Sequence, residues 1–148
     1  MIYCDTREKY PLQFDMYNIP YQSKKLDTGD YTFAGYEDIV CIERKRTVCE
    51  LALNVGSDWK RFLAELYRIQ HFTHKYILCE FSPADIDSYP KCKCVPLSKR
   101  KFIKIRPQFI YKRIDEIQDR FNIIFFFCQN TIEAEQKVVE LYETIYQK

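Results

Sequence analysis

Glycine is almost absent, with three residues in 148. That excludes collagen-like and glycine-rich linker readings, and no low-complexity tract or internal repeat is visible. No apolar run approaches the roughly 18 residues that a membrane span needs. The longest, Ile123-Ile124-Phe125-Phe126-Phe127-Cys128, has the length of a buried strand. No leader precedes the strand-like residues Ile2, Tyr3 and Cys4, so no targeting segment is expected. A large net charge is missing too. The 23 basic and 21 acidic residues leave +2, too little to mark a nucleic-acid binder by total charge, so any basic patch must be local.

What is present fits one globular domain over residues 1–148. Hydrophobic residues make up 47%, enough for a core and against long disorder. The seven cysteines are odd in number and irregularly spaced, so free thiols in a reducing compartment are the default expectation. The protein is expected to be intracellular, with no membrane partner.

Strand-like stretches fall at 2–5, 21–26, 31–33 and 39–42, the last two as arms of a hairpin turning at 34–38. A helix is expected over 47–55, broken at Gly56. Ser57 is expected to cap a second helix carrying Trp59, Phe62, Leu63, Leu66 and Ile69 at helical spacing. A strand over 76–81, a helix over 106–120 with Pro107 early, a strand over 123–127 and a closing helix through Val138, Leu141 and Ile145 follow. This mixture predicts an α/β fold, a central mixed sheet with helices on both faces.

The most informative stretch is the hairpin. A turn at 35–38 sets Thr32 opposite Cys41 and Asp30 opposite Glu43, with Cβ atoms about 5 Å apart. Tyr31, Phe33, Val40 and Ile42 share one apolar face, and Asp30, Glu43 and Lys45 share the other. Two close carboxylates stay ionised together only with a cation between them. Mg²⁺ takes one or two carboxylates plus phosphate and water, so a divalent-ion site is expected. Lys45 is then placed to orient an attacking water and to offset charge developing on phosphorus. Taken alone, an Asp, Glu and Lys on a hairpin face is a common solvated surface.

The flanking motifs add specificity. The chain carries Asp5-Thr6-Arg7-Glu8, then Gly29-Asp30-Tyr31, then Glu43-Arg44-Lys45, then Arg61-Phe62 with Glu65-Leu66-Tyr67-Arg68, then a strand ending Cys79-Glu80. In this order they resemble the XPF/Mus81/Hef nuclease domains of the PD-(D/E)xK class, over most of the chain. The resemblance implies a restriction-endonuclease-like fold with Asp30 and Glu43 as ligands of Mg²⁺ or Mn²⁺, Asp5 as the third carboxylate near the metal, and Lys45 activating water. Arg7, Glu8 and Arg44 belong to the same motifs and are assigned phosphate contact and site geometry. The implied activity is hydrolysis of DNA, branched or partly single-stranded, leaving a 5′-phosphate and a 3′-hydroxyl. A homodimer or a partner subunit is implied, with the C-terminal helix as the candidate pairing element.

There are departures. The family commonly carries a carboxylate after Glu-Arg-Lys and three intervening residues. Here that position is Cys49, and the acid is Glu50, about 100° further round a helix. The helix-hairpin-helix domain that often follows is not expected within these residues. A catalytically silent scaffold is the rival reading, but such subunits typically lose the carboxylates or the lysine, and this chain keeps Asp5, Asp30, Glu43 and Lys45.

Residues 91–106 hold seven basic residues and no acid, so the rest of the chain is net acidic. With Pro90 and Pro96 the segment reads as a loop. Its Lys99, Arg100, Lys101, Lys104 and Arg106 are candidate DNA-backbone contacts, as are Arg46, Lys60 and Arg61. His71, His74, Cys92 and Cys94 could supply four zinc ligands. But Cys-x-Cys is tighter than the usual spacing and the two pairs fall in different elements, so they are expected to be surface or loop residues.

Overall fold

A computed structural model describes residues 1–146. Its sheet has six strands, β1 (Ile2–Cys4), β2 (Tyr21–Ser23), β3 (Tyr31–Phe33), β4 (Val40–Lys45), β5 (His74–Cys79) and β6 (Ile124–Phe127), in the order β2-β1-β3-β4-β5-β6. β3 runs antiparallel to both β1 and β4, and the β1–β2, β4–β5 and β5–β6 pairs are parallel, so the sheet is mixed. The parallel pairs require crossovers; the one from β1 to β2 is a loop with a single 3-10 turn at Asp15–Tyr17, and the other two are helical. They are α1 (Val48–Val55) with α2 (Trp59–Ile69) after β4, and α3 (Pro83–Ser88) with α4 (Pro107–Phe121) after β5. The helix α5 (Thr131–Tyr146) closes the described chain.

The sheet is covered on both faces. Cys41, Ile77, Cys79 and Phe125 face Leu51 and Val55 of α1, Phe62 and Leu66 of α2, and Ile110, Ile114 and Ile117 of α4. Ile2, Tyr31, Phe33, Ile42 and Leu78 face Ala134, Val138 and Ile145 of α5. Among the described residues, no helix is long and apolar enough to cross a membrane.

Local chemistry sets the boundaries. Thr47 caps α1 by accepting the Glu50 backbone N–H, and Gly56 ends the helix. Asp58, not Ser57, occupies the residue before α2. Its carboxylate instead accepts from Arg61 within the first turn. α3 follows a Ser82/Asp85 capping box with Pro83 in the first turn, a short element that apolar periodicity does not reveal in six residues. The segment 91–106 is more ordered than a loop, with a 3-10 turn over Leu97–Phe102.

Candidate active site

The site forms where β1, β3 and β4 run side by side. Tyr31 pairs with Ile42, the register expected from the hairpin turn. Past that pair the ladder changes. The Asp30 backbone N–H donates to the Ile42 carbonyl at 2.8 Å, while the Asp30 carboxylate accepts the Arg44 backbone N–H at 2.7 Å. The Asp5 backbone N–H donates to the Asp30 carbonyl at 2.8 Å. Three adjacent strands therefore deliver Asp5, Asp30 and Glu43 to one place. Gly29 makes the entry possible. Its φ is +82°, and a Cβ there would sit 2.6 Å from the Cys41 sulfur.

Asp5, Arg7, Glu8, Asp30 and Glu43 line a cavity of ≈ 250 Å³, joined by Asp27, Gly29, Glu65 and Arg68. Asp30 and Glu43 approach closely enough to share a hydrogen bond. Burial raises both carboxyls above the ordinary range, and the negative charge of Asp30 raises Glu43 further; Lys45 opposes both shifts. Asp5 differs. Burial works against its ionisation, but hydrogen bonds from Leu26 N–H at 2.9 Å and Arg7 Nε at 2.6 Å outweigh it and hold the carboxyl below the ordinary range. Two buried carboxyls that resist ionising together, with a third already ionised beside them, are an oxygen donor set suited to a hard divalent ion such as Mg²⁺ or Mn²⁺.

The polar hairpin face is not the solvated surface that its composition suggests. Thr32, Cys41, Glu43 and Lys45 are all buried, because α1 and α2 lie over it. Lys45 does not line the cavity. Its Nζ sits 4.9 Å from the Phe62 ring centroid and 3.7 Å from Glu50 Oε1. Glu50 thus meets Lys45 rather than the cavity itself, and Cys49 turns away to a disulfide with Cys94.

Arg44 points to the opposite face. Its guanidinium donates to Glu80 Oε1 at 2.6 Å, Glu8 Oε2 at 2.7 Å and the Tyr10 carbonyl at 2.6 Å, and its side chain is 2% exposed. Tyr31 OH donates to the same Glu8 oxygen at 2.9 Å. Arg44 and Glu8 therefore act on site geometry, and Arg44 has no free donor face for phosphate. Arg7 is exposed but clips Asp5 to the Leu26 carbonyl.

The basic candidates divide as well. Lys99, Lys101 and Lys104 are exposed. Arg100 instead donates to the Val95 and Cys92 carbonyls, and Arg106 to the Ile103 carbonyl. Arg46 is exposed over the Tyr10 ring, Lys60 is exposed, and Arg61 is paired with Asp58 and Glu65. His71 and His74 do not join Cys92 and Cys94. α5 spends its apolar face on its own sheet rather than holding it free for pairing. Sequence reasoning missed Glu65 and Arg68 as cavity residues. Their three-residue spacing, which sets both on one face of α2, was the available signal.

The ERCC4 domain family matches residues 4–141. No individual curated protein matches significantly. Among solved structures, XPF from Aeropyrum pernix in complex with DNA is similar at TM-score 0.75 and 19% identity, over 99% of this chain and 64% of that one. A second structure of XPF from the same organism is similar at TM-score 0.73 and 19% identity, over 99% of this chain and 61% of that one. The chain thus spans less than two thirds of the solved proteins it resembles. The mixed sheet flanked by helices is the restriction-endonuclease-like α/β fold. The chain belongs to the ERCC4 domain family, the family of XPF-type nuclease domains.

Proposed function

We propose that this chain is a divalent-metal-dependent DNA endonuclease that hydrolyses phosphodiester bonds in branched or flap-like DNA. The observation that carries the reading is the cavity in which Asp5, Asp30 and Glu43 converge from three neighbouring strands. Mg²⁺ or Mn²⁺, held by Asp30 and Glu43 with Asp5 alongside, supplies Lewis acidity toward phosphate and lowers the pKa of water. Within the chain's own machinery, Lys45 acts from behind the cavity wall, where its charge favours the ionised form of Glu43; serving the attacking water directly would require its side chain to turn from Glu50 into the cavity. Arg7 keeps Asp5 ionised, and Arg68 adds a cation at the cavity wall for a phosphate oxygen.

The test is cleavage of labelled flap, fork, junction and duplex DNAs by the full chain. Cleavage is expected with Mg²⁺ or Mn²⁺, with branched substrates cut first. Ca²⁺, with its longer and looser coordination, is expected to support it poorly. Full activity in excess chelator removes the metal from the reading, and equal cleavage of plain duplex removes the branched preference.

A further inference from the structure

Away from the carboxylates, three of the seven cysteines converge. Cys49 stands in the first turn of α1, and Cys92 and Cys94 come from the segment after α3. Cys49 and Cys94 form a disulfide, and Cys92 Sγ lies 3.0 Å from Cys94 Sγ and 3.9 Å from Cys49 Sγ. All three sulfurs fall within 4.8 Å of one another. The other four cysteines are buried free thiols outside this cluster.

A two-cysteine crosslink has no use for a third thiol in contact with both sulfurs, whereas a thiolate metal site does. Tetrahedral zinc holds sulfur at about 2.3 Å, which sets ligand sulfurs about 3.8 Å apart. The Cys49–Cys92 separation already has that value. We propose that the reduced chain binds one Zn²⁺ at Cys49, Cys92 and Cys94, with water in the fourth position. Reduction by a dithiol, itself oxidised to a disulfide, returns Cys49 and Cys94 to thiols and leaves three ligands.

The surroundings are those of a preformed ligand cluster. Cys49 lies at a helix N-terminus, where backbone N–H groups stabilise negative charge. The Cys92/Cys94 side opens on a cavity of ≈ 430 Å³ lined by the cations Arg46, Lys91 and Lys93 and by the carboxylates Glu80 and Asp85, the first of them paired with Arg44 and the second capping α3. The ligand turn is shaped in advance: Val95 N–H donates to the Cys92 carbonyl at 3.2 Å, and Arg100 Nη2 reaches the same carbonyl at 3.0 Å. Zinc there would fasten the basic 91–106 segment to α1, whose next residue, Glu50, contacts Lys45.

The test uses the full chain under a non-coordinating reductant. Titration against a chromophoric zinc chelator should give one equivalent, and Co²⁺ should produce thiolate-to-cobalt charge-transfer absorption in the near ultraviolet. An Asp30→Asn/Glu43→Gln variant should retain both signals, which separates this site from the carboxylates and makes the result independent of the nuclease reading. Cys92→Ser should weaken zinc binding by about tenfold or more. Absence of the cobalt–thiolate band in the wild type overturns the proposal even if the cysteine variant misfolds. Undiminished zinc affinity in folded Cys92→Ser also overturns it.

Discussion

Glu43 and Arg44 are consecutive residues on β4, both ionisable and both nearly inaccessible, yet the protein treats them oppositely. Arg44 is compensated completely by two carboxylates and a backbone carbonyl. Glu43 shares its side of the strand with a second carboxyl and is driven away from ionisation. Strand alternation alone separates them, one residue to each face. Burial of a charge is therefore not a mark of function by itself. The distinguishing feature is whether the fold supplies the counter-charge or leaves that to a ligand.

Breaking the compensated side should cost most. Arg44→Ala would leave the half-buried Glu8 and Glu80 without the buried cation they share, a loss on the order of 3 kcal/mol. Denaturant unfolding of the purified variant should show this, and an unchanged midpoint would mean that the network contributes little. Breaking the uncompensated side should do the reverse. Asp30→Asn and Glu43→Gln should each lower DNA cleavage by at least about 10²-fold, with the fold intact, because each removes a charge on which the proposed metal depends. Near-normal cleavage by either variant would end the metal-site reading.

Much of this contrast was legible in the sequence. The turn at Gly35 and the two-residue period set Asp30 near Glu43 and placed Lys45 with them. The same period also sets Arg44 on the other face, yet its partners Glu8 and Glu80 lie 36 residues away in either direction and no local rule announces them. The burial of the polar hairpin face under α1 and α2 was not legible, because helices that cover a strand leave no trace in the strand's own pattern. Cys49 meeting Cys92 and Cys94 is a tertiary contact across two crossovers, which spacing alone does not reveal.

The raised carboxyls sharpen the comparison through pH. In the metal-free protein the folded state holds protons that the unfolded chain releases near the ordinary carboxylate range. The stability linked to Asp30 and Glu43 is therefore full below that range and is lost as pH rises through their raised folded values. One such proton changes stability by at most about 1.4 kcal/mol per pH unit. Glu43→Gln should thus be more stable than the wild type at neutral pH without metal, with the gap closing near pH 4. Melting curves across that interval test it, and a gap that grows on acidification contradicts the assigned direction.

The smallest effect extends the same distinction to the basic segment. Lys99, Lys101 and Lys104 are exposed cations, whereas Arg100 and Arg106 hold backbone carbonyls in place. If the segment follows a DNA backbone, the lysines carry the contact and the arginines carry the shape. Each phosphate contact adds about 0.9 to the slope of log affinity against log salt. Replacing the three lysines by alanine should lower that slope by about 2 to 3 with little change in melting temperature. Arg100→Ala should instead lower the melting temperature and alter the slope by less than one contact. Binding of branched DNA across a salt series separates the two classes. Should the lysine variant keep the wild-type slope, the segment is only solvated. The phosphate path would then cross Arg46 and Lys60, since Arg61 is engaged by Asp58 and Glu65.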